Sequence, residues 1–192
     1  MPKFFVPSHY IFGDYALIKG QEALHIYKVL RLKTGEKIRI FDGNGPEYLC
    51  EICETKKDLV KVNILNKFIN NTEAPINTTL FQCIPKGNKM DFIVQKATEL
   101  GITAIVPVIS SRVVVKLEDK KRMANRIERW EKIALEACKQ SNRSCIPEIS
   151  EILSLNDSIK TNMALNSQLK IILWEKEEKT AFRDYVINII LV

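Results

Sequence analysis

The sequence is short of the features that mark several protein classes. It contains only seven glycines and seven prolines, and these low counts argue against a fibrous or disordered chain. Its five cysteines are an odd number at scattered positions, so we do not expect a disulfide framework. No apolar run reaches the length of a membrane span, and the N-terminal residues lack the apolar run of a signal peptide. These absences predict a globular protein located in the cytoplasm, away from membranes.

The motifs of several common enzyme classes are also missing. The chain has no zinc-ligand spacing, no phosphate-binding glycine loop and no dinucleotide-binding fingerprint. Its two histidines, His9 and His25, have no companion serine or cysteine pattern that would suggest a catalytic triad. Cys50 and Cys53 form a C-x-x-C, but it lies in a strand-like run without a second pair. We therefore expect a structural role for these cysteines and no resident metal.

What the sequence does contain is a modest excess of positive charge. Lysine and arginine number 29 against 23 acidic residues, which gives a formal charge of +6. This excess favours an anionic partner such as nucleic acid, but an ordinary basic enzyme has the same balance. The position of the cations along the chain is therefore more informative than their sum.

The first part of the chain has the pattern of short strands separated by turns. Residues 37–41 alternate between polar and apolar, and the following Asp-Gly-Asn-Gly favours a hairpin. Further strands are predicted at 47–54 and 59–68, and one short helix at 21–30. The polar run 70–75 ends in proline and has the composition of a linker. We therefore predict a first domain over 1–70 and a second over 76–192.

Beyond the linker, strands and helices alternate. Strand-like runs at 78–84 and 102–109 flank a predicted helix at 90–100, and a longer amphipathic helix follows over 123–141. This alternation predicts an α/β fold with a largely parallel sheet. The apolar runs 170–174 and 186–192 predict two further buried strands.

Polar residues cluster at the predicted strand and helix ends of the second domain. Lys86 and Lys89 lie in a loop at a strand's carboxyl end, and Arg112 follows the next strand. All three fit a phosphate, although exposed loop charges would show the same pattern. Glu99 and Gln140 stand beside small residues and fit half-buried hydrogen-bonding groups. Such groups are either structural or catalytic, and the pattern leaves both interpretations open.

The same residues carry a resemblance to a known family. Residues 86–90, 95–101 and 111–112 resemble the signature of the RsmE family of ribosomal RNA methyltransferases. A second block agrees in order and spacing, through Arg129-Trp130, Glu136-Ala137, Gln140-Ser141, Arg143 and Pro147. The first domain agrees as well, through Phe4-Phe5-Val6, Val29-Leu30-Arg31 and residues 41–45. The resemblance spans nearly the whole chain.

This resemblance implies a fold and an activity. The fold would be a small PUA-like β-barrel RNA-binding domain, followed by a SPOUT-class α/β methyltransferase domain. The C-terminal part of a SPOUT domain ties a trefoil knot, a rare exception to the rule against knotted chains. The activity would be methylation of the N3 atom of a uridine in 16S ribosomal RNA, with S-adenosyl-L-methionine as methyl donor. Members of the family act as homodimers and use no metal.

Carried over position by position, the resemblance also implies RNA contacts. Arg31 and Lys33 would hold the RNA backbone on the first domain. Lys86, Lys89 and Arg112 would line the RNA-facing side of the second domain. Cations of this kind bind phosphates without reading the base sequence.

The resemblance further implies that Glu99, Gln140 and Arg143 lie near the active cleft and position or shape it. The N3 atom of uracil bears a proton and becomes a nucleophile only when that proton leaves. A guanidinium would stabilise the developing negative charge, and both Arg112 and Arg143 are candidates for this role.

The sequence also departs from the family pattern. In the family, the strand matching 186–192 runs into a GPEGG loop, and an LGxRILRxETA segment follows later; together they cradle the cofactor and complete the knot. Neither segment occurs in these 192 residues. We therefore expect the knot-forming part to be missing, the main cofactor-binding loops to lie beyond Val192, and the chain to be inactive alone.

Two rival functions follow from that expectation. The chain could be a catalytically inactive homologue that only binds RNA, and cofactor binding separates this alternative from a methyltransferase. It could also be a structural or assembly protein that uses its α/β half to dimerise, which predicts negligible RNA affinity and little dependence on salt.

Overall fold

The computed structural model describes residues 1–69, 72–110 and 120–173 of the chain. By its contacts the chain divides into a unit over Met1–Ser158 and a second over Ile159–Val192. The first unit contains a six-stranded sheet and a four-stranded sheet. Each sheet has its own cluster of buried apolar side chains, as two separately patterned regions require.

The first sheet is almost entirely antiparallel and has the strand order β1-β4-β5-β6-β3-β2. Only β1 and β4 run parallel. The predicted hairpin is confirmed, because β4 and β5 pair antiparallel on either side of residues 42–45. The strands are β1 (Lys3–Phe5), β2 (Ile11–Phe12), β3 (Tyr15–Lys19), β4 (Lys37–Phe41), β5 (Pro46–Thr55) and β6 (Leu59–Ile69).

Alternation along these strands places one face in the core. Ile38 and Ile40 of β4 are fully buried, as are Val60 and Val62 of β6. Their neighbours in the sequence point to the opposite face of the sheet, as the period of two requires. The first sheet therefore has one apolar face and one largely polar face.

The short helix predicted at 21–30 is present in two parts. Helix α1 (Gly20–Leu24) continues directly into a π-helix over His25–Leu30. Ile26 is fully buried and packs into the core of the first sheet. The helix ends at Arg31, whose φ of 52° is left-handed. This conformation is uncommon for a residue other than glycine.

The described strands of the second sheet all run parallel, which confirms the α/β prediction. Its order is β10-β8-β7, with β9 also paired to β8. Its elements are β7 (Thr79–Cys83), α2 (Lys89–Glu99), β8 (Ala104–Ile109), α3 (Lys120–Gln140), β9 (Glu148–Ile149), β10 (Leu153–Ser154) and α4 (Leu155–Ser158). The stripe predicted on α3 is confirmed, since Trp130, Ala134 and Ala137 are buried.

The strand predicted at 170–174 is wrong for its described residues, 170–173. In the second unit, α5 (Asn162–Leu165) is followed by irregular chain, and Ile172 and Leu173 are 92% and 81% exposed. An apolar run becomes a buried strand only beside a strand that accepts its hydrogen bonds. Within 1–69, 72–110 and 120–173, no strand pairs with this run. The strand predicted at 186–192 lies outside the described residues, and the domain boundary at 70–75 stays a prediction.

One glycine of the β4–β5 turn lies close to the loop that precedes β9. Gly43 has a φ of +86°, and a Cβ built on it would lie 2.7 Å from Cδ1 of Ile146. We expect Gly43→Ala to lower the free energy of unfolding by about 1–3 kcal/mol, because it adds a contact to a strained backbone. Urea denaturation would measure the loss.

Gly35 offers a matched control for this substitution. Its φ is +91°, but nothing lies within 4 Å of a Cβ built there. Gly35→Ala should therefore report backbone strain alone and cost less than Gly43→Ala. Equal losses from the two substitutions would show that contact with Ile146 has no energetic role.

Candidate functional site between the two sheets

The cations predicted for the first domain are exposed at the end of the π-helix. Arg31 follows the last helical residue, and Lys33 lies two residues further along. The backbone N–H of Lys33 donates to Oε2 of Glu36 at 2.5 Å, which closes the local turn. The side chains of Arg31 and Lys33 are both exposed, so they are accessible to a partner outside the chain.

Two of the three cations predicted for the second domain, Lys86 and Lys89, are also exposed. Lys86 lies in the loop after β7, and Lys89 is the first residue of α2. Because β7 belongs to a parallel sheet, this loop lies at the carboxyl edge where such sheets bind ligands. Arg112 lies outside the described residues.

Glu99 ends helix α2 as a half-buried carboxylate. It accepts hydrogen bonds from Nζ of Lys96 at 2.6 Å and from Nε2 of Gln95 at 3.0 Å. The hydrogen bond from Lys96 has the largest effect on its pKa, and with Gln95 it lowers that pKa against the opposing effect of burial. Glu99 is therefore ionised at neutral pH, which suits positioning better than the donation of a proton.

Gln140 ends helix α3, and the expectation that it is half-buried is wrong. Its side chain is exposed, because the apolar stripe of α3 passes through Ala134 and Ala137 and leaves Gln140 at its edge. It lines two adjoining clefts. One, of about 520 Å³, runs along α3 past Gln95 and Arg129. The other, of about 490 Å³, lies between α3 and the first sheet.

Arg143 is 2% exposed and is fully engaged within the chain. Its Nη1 donates to the carbonyl oxygen of Thr98, near the end of α2, at 2.8 Å and to that of Ile102, three residues beyond the helix, at 2.9 Å. Its Nε and Nη2 donate to Oε2 of Glu73 at 3.0 and 2.7 Å. These contacts favour the positioning role for Arg143 over direct contact with a substrate.

Glu73 completes this arrangement, and sequence reasoning missed it. Its Oε1 accepts the backbone N–H groups of Ser144 and Cys145, both at 3.0 Å. Burial alone would raise the pKa of Glu73, but the hydrogen bonds from Arg143 and these two N–H groups outweigh burial and lower it. The sequence places Glu73 in a polar linker-like run, where nothing distinguishes it from a solvated acid.

A second carboxylate, the fully buried Glu47, contacts the same part of the chain from the first sheet. The side chain of Glu47 is 0% exposed, and that of Lys3 is 5% exposed. Nζ of Lys3 donates to Oε1 of Glu47 at 2.6 Å, and Oγ of Ser144 donates to the same oxygen at 2.5 Å. Nη1 of Arg39 lies 3.4 Å from Oε2. The sequence offered no signal for this role, because alternation along β5 assigns Glu47 to the face opposite the buried Tyr48, where an acid is expected to be solvated.

Both carboxylates act on one segment, residues 142–146, which we call the joint segment. Its backbone also pairs with the β4–β5 turn, since the N–H of Gly45 donates to Ser144 and that of Ile146 donates to Gly43. The joint segment begins two residues after Gln140. The end of α3 is therefore fixed against the first sheet by backbone and side-chain contacts together.

The described part of the chain contains no helix that is both long and apolar enough to cross a membrane. In the same residues there is no group of three or more histidine, cysteine, aspartate or glutamate side chains that would hold a metal ion.

Comparisons with known families match both sheets. A model described as an RNA methyltransferase PUA domain matches residues 18–65, and one described as an RNA methyltransferase domain matches residues 72–189. The Ribosomal RNA small subunit methyltransferase E of Bacillus subtilis is 38% identical over 143 residues, which cover 74% of this chain and 56% of the relative. That of Buchnera aphidicola from Acyrthosiphon pisum is 30% identical over 182 residues, 94% of this chain and 70% of the relative. The chain thus spans little more than half the length of the first of these relatives.

Solved structures agree with these matches. The Ribosomal RNA small subunit methyltransferase E of Neisseria gonorrhoeae, bound to S-adenosyl methionine, has a TM-score of 0.75 and 36% identity over 83% of this chain and 65% of its own. A methyltransferase of Legionella pneumophila, in complex with the cofactor SAM, has a TM-score of 0.83 and 33% identity over 95% of this chain and 74% of its own.

Proposed function

The chain belongs to the ribosomal RNA small subunit methyltransferase E family, with a PUA-like first sheet and a SPOUT-type methyltransferase domain, and we propose that the protein methylates 16S ribosomal RNA. The methyl donor is S-adenosyl-L-methionine, the target is the N3 atom of a uridine, and the protein acts as a homodimer in the cytoplasm. The match of the RNA methyltransferase domain over residues 72–189 is the observation that carries this proposal.

The two domains divide the work in this proposal. Residues 1–70 bind RNA and residues 76–192 carry out methyl transfer. Support comes from the exposed cations on both parts, Arg31 and Lys33 on one and Lys86 and Lys89 on the other. All four cations lie in the unit Met1–Ser158, so one RNA molecule that contacts both pairs is bound at two places, which raises its overall affinity.

The two clefts beside Gln140 do not fit the cofactor. S-adenosylmethionine carries a carboxylate, but every lysine and arginine that lines these clefts already pairs with a carboxylate of the chain. We therefore propose that the cofactor-holding residues lie outside these two clefts, and we derive no step that passes through the cofactor.

The uracil itself sets a separate requirement. Its N3 atom must lose a proton before it can react, so the site has to stabilise the deprotonated base. Arg143 and Arg112 were both candidates for this role. We propose Arg112, because the guanidinium of Arg143 already donates to Glu73 and to two carbonyl oxygens. In this proposal Glu99 and Gln140 position the groups that line the active cleft.

Two assays test the proposed function. Calorimetric titration with S-adenosylmethionine would compare the 192-residue chain with a version extended at its C-terminus, if the gene encodes one. Methyl transfer to unmethylated small ribosomal subunits would then be measured with the version that binds. Binding by the longer version alone places the cofactor loops beyond Val192. If neither version binds the cofactor, the protein is the inactive RNA-binding homologue.

The exposed lysines of the second domain give a more specific prediction. We expect the double substitution Lys86→Ala and Lys89→Ala to weaken single-stranded RNA binding at low salt about tenfold. The slope of log affinity against log salt should fall by about 1.4, because each phosphate contact on a single strand contributes about 0.7. Fluorescence anisotropy at several salt concentrations measures both quantities.

The control is a lysine pair in an exposed turn of the first domain. Lys56 and Lys57 lie between β5 and β6, and Lys56 pairs with Glu54. Replacing both by alanine removes the same net charge, but the salt slope should hardly change. A slope that falls equally in the two double variants would mean that net charge, and not the loop after β7, determines RNA affinity.

A further inference from the structure

The second cleft beside Gln140 lies between the first sheet, helix α1 and the end of α3. Its volume is about 490 Å³, within the roughly 300–1,000 Å³ range of pockets that take small organic ligands. The predicted RNA contacts assign no role to it. Its lining combines the carboxamides of Gln21, Gln140 and Asn142, the imidazole of His25 and charged side chains of both signs.

The side chains of this cleft combine hydrogen-bond donors with acceptors. Gln21, Gln140 and Asn142 each carry a carboxamide, which donates and accepts. The edge of a nucleobase is likewise a pattern of donors and acceptors, whereas a bare phosphate only accepts. The exposed imidazole of His25 offers a flat ring of the kind on which unpaired bases stack.

The charges in the cleft are already balanced. Nζ of Lys139 bridges Glu22 of α1 and Glu136 of α3, with 2.7 Å to Oε1 of Glu136. Lys3 and Arg39 both pair with the buried Glu47. A bare anion would have to compete with these carboxylates. The lining therefore favours a neutral ring with polar edges over an isolated phosphate or an apolar molecule.

The walls of the cleft are also held in place before any ligand arrives. The bridge through Lys139 ties α1 to α3, and its side chain is only 16% exposed. Nη2 of Arg39 donates to Oδ1 of Asn142 at 3.2 Å, which ties β4 to the joint segment. A pocket whose walls are fixed in this way loses little entropy on binding.

We propose that this cleft receives one unpaired base of the bound RNA strand, with its ring against His25 and its edge against the carboxamides. The inference rests on the proposed RNA-binding function and names a site for it. The π-helix that begins at His25 ends immediately before Arg31. A strand whose base enters the cleft therefore passes close to a cation already predicted to hold its backbone. Recognition of unpaired, splayed-out bases is the usual way in which proteins read RNA.

The test compares two RNA strands of equal length and charge. One is a fluorescent single-stranded oligouridine, and the other is a ribose-phosphate strand without bases. We expect His25→Ala to weaken oligouridine binding about tenfold, the effect of losing one stacked base. Binding of the abasic strand should not change. His25→Phe, which retains a flat ring, should keep most of the affinity for oligouridine.

The only other histidine of the chain provides the matched control. His9 is exposed and lies outside the cleft lining, so His9→Ala should leave both affinities unchanged. Gln21 is exposed on α1, so we do not expect Gln21→Ala to disturb folding. It should weaken the binding of oligouridine and leave the binding of the abasic strand unchanged. That result would show that the weaker binding of His25→Ala is not caused by misfolding. If the cleft variants weaken the binding of both strands equally, or of neither strand, the inference is overturned and the proposed RNA binding stands. A wild-type chain that binds neither strand overturns the RNA-binding function as well.

Discussion

Replacement of Glu47 by alanine is expected to lower the free energy of unfolding by about 3–5 kcal/mol. The substitution leaves the ammonium group of Lys3, whose side chain is 5% exposed, without its closest carboxylate. It also removes the acceptor of the Ser144 hydroxyl. An uncompensated buried cation is among the largest single costs that a folded chain can carry. Urea denaturation followed by tryptophan fluorescence would measure the loss at pH 7.

Two controls separate the buried pair from a general effect of removing an acid. Glu54 lies in the same strand and pairs with Lys56, but both side chains are substantially exposed, so Glu54→Ala should cost far less stability than Glu47→Ala. The double substitution Lys3→Met and Glu47→Leu should recover most of the lost stability, since apolar residues often replace a buried ion pair without loss. A single Glu47→Ala variant as stable as Glu54→Ala would contradict the assignment.

The regular elements could be predicted because their signal is local. The alternation in residues 37–41 and the helical stripe through Trp130 and Ala134 each report on a few neighbouring residues. The run 170–173 shows the limit of that signal, because its apolar character fits a strand but the strand also needs a partner. Local pattern therefore predicts which segments can form elements, and it does not tell where an element finds its neighbour.

The joint segment could not be predicted, because its contacts join residues far apart in the sequence. Glu47 and Ser144 are 97 positions apart, and Glu73 and Arg143 are 70 apart. No periodicity connects such pairs. The resemblance drew attention to Arg143, but it did not name Glu73 as its partner, and that pairing is visible only in the folded chain.

The second large effect is expected at Arg143. We expect Arg143→Met to lower the free energy of unfolding by about 3–5 kcal/mol, because it leaves Glu73 without its guanidinium and frees the carbonyl oxygens of Thr98 and Ile102. Urea denaturation at pH 7 measures this loss. Arg129→Met is the matched control, since Arg129 pairs with Asp91 but its side chain is 59% exposed. That substitution should cost less than about 1 kcal/mol.

The loss at Arg143 should also depend on pH in one direction. Burial raises the pKa of Glu73 in the folded chain, but the hydrogen bonds from Arg143 and the joint segment together outweigh burial and lower that pKa from its ordinary value of 4.5. A carboxyl with a lowered folded pKa contributes stability above its unfolded pKa and loses that contribution as the pH falls through the folded pKa. The difference between wild type and Arg143→Met should therefore be largest near neutral pH and shrink as the pH falls below 4.5. A difference that grows on acidification would show that Glu73 is not the partner through which Arg143 stabilises the joint segment.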